Sequence, residues 1–211
     1  MIGNNLAKYC REFWNYFQNH QYERTLGGYY FPRAHAHMAG RYRHWVEGFE
    51  SDMRLDSNVI PYEGQNYVLD VALRGAVQHG SAMISSWYLG LHSGTGIEDV
   101  TVTASNYNST YAEIQAQSGD PGGYTSATRI VWASDALPLD STSEMVNATT
   151  PAAFTVSTTT TLLVNGAWMT NQSGRTNYAG YALSIAKFSA QRSLADTDVF
   201  NLEYTIDLDH V

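Results

Sequence analysis

Three histidines and two glutamates in the first quarter of the chain have side chains that could bind a metal ion. His35 and His37 are separated by one residue, and His44, Glu47 and Glu50 follow. On a strand, a His-x-His pair places both imidazoles on one face, as a zinc site requires. Arginines at positions 33, 41 and 43 interrupt the set and would repel a cation, and no cysteine supports it. The pattern favours polar residues of an arm or interface, and we predict no metal site.

The sequence contains no recognisable catalytic motif. It lacks the nucleophile elbow of hydrolases, a Walker loop, a His-Glu-x-x-His zinc motif and the glycine-rich dinucleotide fingerprint. A glycosidase needs only two converging carboxylates, and the order of residues along the chain does not reveal such a pair. We therefore expect a protein that is not an enzyme, with no catalytic residues and no cofactor.

Charge is scarce and unevenly distributed along the 211 residues. Asp, Glu, Lys and Arg make up 15% of the chain, and the formal net charge is −8. Residues 1–80 are balanced, whereas residues 81–211 carry four basic and twelve acidic side chains. An acidic surface argues against nucleic-acid binding, because phosphate contacts need basic groups. Few charges also suit a subunit that packs against other proteins.

The compartment of the protein is indicated by its cysteine content and its first residues. Cys10 is the only cysteine, so no intrachain disulfide can form, which suits a reducing cytoplasm. The first residues lack the basic and apolar regions of a signal peptide. No apolar run approaches the ~18 residues of a spanning helix. We expect folding in the cytoplasm and no membrane partner.

A helix rich in aromatic side chains is predicted near the start of the chain. Its apolar residues fall on one face, namely Leu6, Tyr9, Cys10, Phe13, Trp14 and Phe17. The pair Gly27-Gly28 ends the pattern. Such an apolar stripe either docks on the core of its own chain or inserts into a neighbouring subunit, and both alternatives stay open.

An irregular aromatic arm follows, over roughly residues 27–50. Interface cores are enriched in aromatic side chains and Arg, and an aromatic arm exposed to water is unfavourable. We predict that the arm packs on a partner chain. The predicted interface residues from the helix and the arm are Phe13, Trp14, Phe17, Tyr29, Tyr30, Phe31, Tyr42 and Trp45.

The second half of the chain has the pattern of a β-sheet protein. Turn residues separate eight candidate strands, at residues 84–91, 99–104, 128–134, 143–149, 152–157, 160–169, 179–188 and 198–208. In the last of them, Phe200, Leu202, Tyr204 and Ile206 alternate with polar residues, as a sheet with one solvated face requires. The predicted fold class is mainly β, an antiparallel β-sandwich or jelly roll with an N-terminal helix and an irregular aromatic arm.

A division after residue 57 is predicted from this change of pattern. Residues 1–57 would form the helix and an extended docking arm, and residues 58–211 a β-sandwich domain with a short leading helix over 65–77. The run Ser85–Leu91 is expected to be the first core strand of the sandwich, with Trp87 buried.

Several segments between residues 58 and 208 carry a resemblance. They are Gln65-Asn66-Tyr67-Val68-Leu69-Asp70-Val71-Ala72-Leu73-Arg74-Gly75, Trp87-Tyr88-Leu89-Gly90-Leu91, Tyr111-Ala112-Glu113, Ala153-Phe154-Thr155-Val156, Gly166-Ala167-Trp168-Met169, Lys187-Phe188-Ser189 with Arg192, and Glu203-Tyr204-Thr205-Ile206. In this order they resemble a set of tailed-bacteriophage and prophage virion proteins of about this size. These motifs are structural, and the N-terminal arm lies outside them.

The resemblance implies a non-enzymatic virion protein built on a β-sandwich, above all a head-decoration (cement) protein. Its partners would be the major capsid protein or other virion proteins, and its location the virion, assembled in the host bacterial cytoplasm. A homo-oligomer is expected, and a trimer would suit a decorating sandwich. Two alternatives stay open. One is a tail-fibre or head-fibre module whose Thr- and Tyr-rich loops bind host glycan, and the other is a neck or tail structural subunit.

Overall fold

The computed structural model describes residues 22–24, 30–32, 36–74, 84–135 and 144–210. The chain divides into two compact units, Met1–His37 with Asp209–Val211 and Met38–Leu208. In the first unit, strand β1 (Tyr22–Arg24) pairs antiparallel with β2 (Tyr30–Pro32), and Glu23 lies opposite Phe31.

Ten further strands and two α-helices follow in the described residues. The strands are β3 (Ala36–Val46), β4 (Arg54–Ser57), β5 (Tyr88–His92), β6 (Gly123–Tyr124), β7 (Ile130–Val131), β8 (Glu144–Val146), β9 (Ala152–Ser157), β10 (Leu162–Thr170), β11 (Ala182–Leu194) and β12 (Val199–His210). The helices are α1 (Tyr62–Arg74) and α2 (Ala104–Tyr111). One 3-10 turn, Glu50–Asp52, lies between β3 and β4.

These strands form two antiparallel sheets. The larger sheet has the order β4-β3-β12-β9-β6, with β8 also pairing to β12. The smaller sheet has the order β11-β10-β5-β7. Trp168 lies on the central strand β10 of this sheet, opposite Gly90 of β5 on one side and Ile185 of β11 on the other. The predicted mainly β, sandwich-like fold is therefore confirmed.

One apolar core joins the inner faces of both sheets. From the larger sheet it takes Phe154 and Phe200, which lie opposite each other on β9 and β12. From the smaller sheet it takes Leu89, Leu91 and Met169. The alternation in β9 explains the arrangement, since every second side chain is buried and those between are exposed, or half-buried at Ser157. The apolar set predicted for the last strand lies in or against this core, but the intervening Glu203 and Thr205 are buried as well, so this part of the polar face is not solvated as predicted.

A second apolar cluster covers the outer face of the smaller sheet. Tyr107 of α2 stacks on Trp168 with ring centroids 3.8 Å apart, and Ile185 of β11 belongs to the same cluster. Glu63 of α1 links helix α2 and strand β11. Its Oε2 accepts hydrogen bonds from the backbone N–H of Ala104 at 2.8 Å and of Ala182 at 2.7 Å. The two helices thus form a third layer on the smaller sheet.

The division predicted after residue 57 needs correction. β3 and β4 belong to the larger sheet, so residues 38–57 are part of the sandwich and not of an arm. The strand ladder explains the difference, since Arg41 to His44 pair in register with Ser57 to Arg54. The predicted N-terminal helix lies outside the described residues.

Other predicted elements are shifted or absent. The leading helix, predicted over 65–77, begins earlier, and its described part is Tyr62–Arg74, since residues 75–77 lie outside the described residues. No strand forms at 99–104, because Thr103 precedes helix α2 and donates its backbone N–H to the Asn106 side chain at 2.9 Å. The expected first core strand starts only at Tyr88, and Trp87 before it is partly buried and packs against the core.

Candidate binding surface

An exposed apolar surface lies on the hairpin formed by β3 and β4. Phe49, Met53 and Leu55 expose 64%, 42% and 58% of their surface, and Trp45 on the same hairpin is half-buried. We call these four side chains the hairpin surface. Single exposed apolar residues are ordinary, but several on one short element are typical of a binding site.

The strand pattern explains how the hairpin presents these groups. Alternate residues of β3 point to opposite faces of the sheet, and exposed Arg43 and half-buried Trp45 share the outer face. Leu55 pairs with Arg43 in the ladder, so Leu55 lies on that face as well. Phe49 and Met53 belong to the loop that connects the two strands, at the closed end of the same hairpin.

Arg192 anchors the connection from the opposite sheet. This buried β11 side chain donates from Nη2 to the backbone oxygens of His44 at 3.2 Å and Asp52 at 2.7 Å, and from Nη1 to the Asp52 carboxylate. Two of these bonds end in the 3-10 turn that separates Phe49 from Met53. The position of the hairpin surface is therefore set by a buried cation.

His44 completes this anchor as a neutral side chain. Its Nδ1 accepts from Arg192 Nε at 3.1 Å, so the ring proton lies on Nε2, which donates to Asp56 Oδ2 at 2.8 Å. The ring stacks on Phe188 with centroids 3.8 Å apart. Burial lowers the pKa of His44 from 6.5 to about 4, because the charged form would lose its hydration and face Arg192. The imidazole is held rigidly and acts as a connector.

Ion pairs border the hairpin surface on the outer face of the sheet. Arg41 pairs with Glu144 of β8, and Arg43 lies 3.4 Å from the carboxylate of Glu203 on β12. Burial raises the pKa of Glu203, and Arg43 opposes that rise. Both arginines are nearly half exposed, so these pairs contribute little to stability. They give the apolar area a polar rim with both signs of charge, as protein interfaces commonly have.

The predicted interface residues are only partly described by the structure. Phe13, Trp14, Phe17 and Tyr29 lie outside the described residues. Tyr30 and Phe31 lie in strand β2, in the smaller of the two units, and Trp45 belongs to the hairpin surface.

The prediction of Tyr42 as an interface residue is wrong. Its side chain is fully buried, and its ring lies 4.6 Å from that of Tyr204. Its hydroxyl forms a hydrogen bond with Ser184 Oγ of the opposite sheet. Burial raises the pKa of Tyr42 well above 10. Because Tyr42 joins the two sheets from inside, it has no surface to offer a partner chain.

The histidines and glutamates considered as metal ligands do not converge in the described residues. His35 lies outside them, and His37 lies on β3. Both ring nitrogens of His44 are engaged by Asp56 and Arg192. In the ranges that the structure describes, no group of three or more His, Cys, Asp or Glu side chains could hold a metal ion.

A second buried polar centre lies in the smaller sheet and its loops. Arg129 forms a two-pronged ion pair with Glu113, at 2.6 Å from Nε and 2.8 Å from Nη2. Arg129 Nη1 donates to the backbone oxygen of Gln172 at 2.7 Å, and Trp168 Nε1 donates to Glu113 at 3.2 Å. Neither charged side chain is exposed, so the pair fixes loops and presents no reactive group.

His92 is buried between β10, β11 and helix α2. Its Nε2 lies 3.0 Å from the Ala186 oxygen and its Nδ1 lies 3.3 Å from the Gly94 oxygen. Burial lowers the pKa of His92 to about 4, although both carbonyls favour the protonated ring. A neutral ring donates to only one of these oxygens, and the shorter contact indicates Nε2.

The interface predicted from the sequence includes Trp45 but not Met53 or Leu55, which lie on the same hairpin. The run Met53-Arg54-Leu55-Asp56 alternates apolar and charged residues, which is the period of a strand. That signal predicts a strand with its apolar side inward. In the structure the charged Asp56 is the buried member and Leu55 the exposed one, because Asp56 binds His44 and the Ser189 backbone N–H.

Comparison with models of known protein families and with curated protein sequences finds no match. Among the described residues, no helix is long and apolar enough to cross a membrane.

Proposed function

We propose that this protein is a non-enzymatic structural subunit of a tailed-bacteriophage virion, a head-decoration protein that binds the major capsid protein. The observation that carries the proposal is the hairpin surface, an exposed apolar area on a sandwich whose opposite face is covered by helices. An adhesive subunit needs a rigid support and one preferred contact area.

The buried polar groups of the sandwich support an adhesive role. His44 with Arg192 and Glu113 with Arg129 satisfy each other inside the fold. Each of these side chains is engaged by a buried partner, so none of the four is the free nucleophile or base that catalysis requires. These two buried pairs hold the hairpin and the loops in place.

The composition and the resemblance to virion proteins support the same proposal. A chain with 15% charged residues has a surface suited to lasting contact with other proteins. Burial of apolar surface contributes about 25 cal/mol per Å², so the four side chains of one hairpin surface bind weakly by themselves. Many copies on a symmetric shell, or several protomers of one oligomer, would raise the total binding strength through multivalency.

Counting the protein in purified virions tests the proposal. Quantitative mass spectrometry against the major capsid protein should give a copy number that follows the symmetry of the shell. A count of about six or twelve would instead favour a neck or tail subunit, since those assemblies are small rings. Absence from the virion would contradict the proposal altogether. Labelling with an antibody fragment on the intact particle would separate head from tail at equal copy number.

A further inference from the structure

Strand β10 contains the one Asn-Gly pair of the sequence, Asn165-Gly166. The side-chain amide of asparagine is chemically labile, above all before glycine, whose backbone nitrogen has no Cβ beside it to hinder an attack. That nitrogen attacks Cγ of the asparagine, its proton and the amide nitrogen leave as ammonia, and a five-membered succinimide ring forms. Water then opens the ring to aspartate or isoaspartate. The pair therefore carries all the reacting groups of a deamidation that needs no enzyme.

Packing requires glycine at position 166. A Cβ there would lie 2.0 Å from the backbone oxygen of Ala186 and 2.1 Å from Nε2 of His92. These two atoms are buried and lie 3.0 Å from each other in a hydrogen bond, so neither can withdraw at low cost. The smaller sheet therefore fixes the residue that makes Asn165 labile.

Asn165 fills an interruption in the ladder between β10 and β11. A register shift lies between Val164 and Gly166, so Asn165 has no partner of its own in the ladder. Its side chain makes two other contacts instead. Nδ2 donates to the backbone oxygen of Ser93, at the end of β5, and Oδ1 accepts from Gln191 Nε2 at 2.9 Å. Only 7% of the residue is exposed, so both atoms of the amide are held inside the fold.

These contacts hold the amide in an unreactive state. Ring closure brings Cγ within bonding distance of the Gly166 nitrogen, so the side chain must move and release both of its hydrogen bonds. Burial also keeps away the base that takes the proton from this nitrogen and the water that opens the ring. The reaction therefore waits for a local opening of the strand, and its rate is the intrinsic rate multiplied by the open fraction.

The deamidated side chain does not fit the position that the amide occupied. Deamidation replaces the donor Nδ2 with a carboxylate oxygen, which would face the backbone oxygen of Ser93, acceptor against acceptor. A buried carboxylate without a partner is unfavourable, and isoaspartate also lengthens the main chain of β10 by one methylene group. The contact between Asn165 and the end of β5 is therefore lost in the product.

We propose that Asn165-Gly166 is a self-deamidation site, which the contacts with Ser93 and Gln191 hold inactive and which reacts when strand β10 opens locally. Because ammonia leaves, closing of the strand does not reverse the reaction, and the modification accumulates in chains that have been partly unfolded. The site shares no residue with the hairpin surface and needs no partner, so the inference is independent of the proposed function.

The rate of deamidation in the folded and the unfolded chain tests the inference. Both are incubated at pH 8 and 37 °C, the unfolded chain in guanidinium chloride, beside the capped peptide acetyl-Leu-Val-Asn-Gly-Ala-amide with the sequence of residues 163–167. Liquid chromatography with mass spectrometry counts the aspartate and isoaspartate products. The unfolded chain should react as fast as the peptide, and the folded protein about tenfold or more slowly. A folded protein that reacts as fast as the peptide would overturn the inference, as would faster deamidation of another asparagine in the unfolded chain.

Two exposed glutamines provide a matched pair of variants. Gln191→Ala removes the donor to Asn165 Oδ1, so deamidation of the folded protein should become about twofold to tenfold faster, the effect of one hydrogen bond. Gln115→Ala is the control, since Gln115 donates to the Tyr178 hydroxyl at 2.7 Å and has no contact with Asn165 among its hydrogen bonds. Both variants should react as the wild type does in guanidinium chloride. An unchanged rate in folded Gln191→Ala would show that this contact does not restrain the amide.

Substitutions of Asn165 test the fate of the product. Asn165→Asp should lower the midpoint of urea unfolding at pH 7.5 more than Asn165→Ser, which removes the same amide without adding a charge. Equal midpoints in the two variants would contradict the exclusion of the deamidated side chain from the folded position.

Discussion

Arg192 and His44 form a hydrogen bond across the sandwich, from Nε on β11 to Nδ1 on β3 at 3.1 Å. The same guanidinium holds the backbone oxygen of Asp52 at 2.7 Å, in the turn between Phe49 and Met53. A buried pair thus links the inside of the sandwich to the apolar hairpin that we propose as its binding surface.

Loss of Arg192 should loosen the hairpin. In Arg192→Gln, the guanidinium bonds to the turn disappear, so we expect backbone amides of residues 49–53 to exchange hydrogen about tenfold faster or more while the core strands stay protected. Hydrogen exchange followed by mass spectrometry measures this. Lys187→Gln, an exposed change on the same strand, is the control. Unchanged exchange in the turn of Arg192→Gln would show that Arg192 does not anchor it.

Acid should destabilise the fold through its buried histidines. Both His44 and His92 have a pKa lowered from 6.5 to about 4, since burial disfavours their charged forms. Between those values the unfolded chain binds protons that the folded chain does not, so stability is complete above pH 6.5 and falls as pH drops toward 4. Each histidine accounts for a loss on the order of 2–3 kcal/mol over this range.

Urea unfolding at pH 7.5 and pH 4.5 measures this dependence. The loss of unfolding free energy on acidification should be smaller in His44→Gln than in the wild type, whatever the stability of the variant at neutral pH. His92→Gln should reduce the loss in the same way. A loss of equal size in all three proteins would show that these rings do not carry the pH dependence.

The ion pair between Glu113 and Arg129 should be far more sensitive to one substitution than to two. Glu113→Gln leaves the Arg129 charge buried without its partner, so we expect a loss of about 3–5 kcal/mol in the free energy of unfolding. The double variant Glu113→Gln with Arg129→Met should recover part of that loss. Arg41→Gln, which breaks a half-exposed pair, is the control and should cost less than about 1 kcal/mol. Additive losses in the double variant would contradict this interpretation.

Tyr42 and Trp45 should respond in opposite ways to truncation, although the sequence pattern groups them. Tyr42→Ala removes a buried ring that joins both sheets, so we expect a loss of about 3–5 kcal/mol in stability. Trp45→Ser changes a half-buried outer side chain and should cost less than about 1–2 kcal/mol, while binding to the proposed capsid partner should fall. Thermal unfolding and a binding assay on both variants separate the two roles. Equal destabilisation by the two substitutions would contradict the assignment.

The sandwich was predictable from sequence because its strands follow simple local rules. Strand β9 was predicted with the bounds that it has, and the alternation of Phe200, Leu202 and Tyr204 matches their burial on β12. These strands have one apolar and one polar face, so the period of two is visible in the sequence.

The proposed binding surface was harder to predict because its strands break that rule. On β3 the buried side chains include His44, and on β4 the buried one is Asp56, so the inner face looks polar. Their burial depends on Arg192, which is 148 positions away from His44 in the chain. Such long-range pairing leaves no local period, and the whole segment therefore resembled an arm. The aromatic side chains of Trp45 and Phe49 are the local signal from which the sequence predicts a contact area.

The most direct measurement is the occupancy in virions of the double variant Phe49→Ser with Leu55→Ser. Both side chains are largely exposed, so the variant should fold as the wild type does. The control, Leu69→Ser with Ile97→Ser, removes exposed apolar groups elsewhere. Quantified per capsid subunit, occupancy should fall about tenfold or more for the hairpin variant and stay at the wild-type level for the control. Wild-type occupancy of the hairpin variant would contradict docking through this surface.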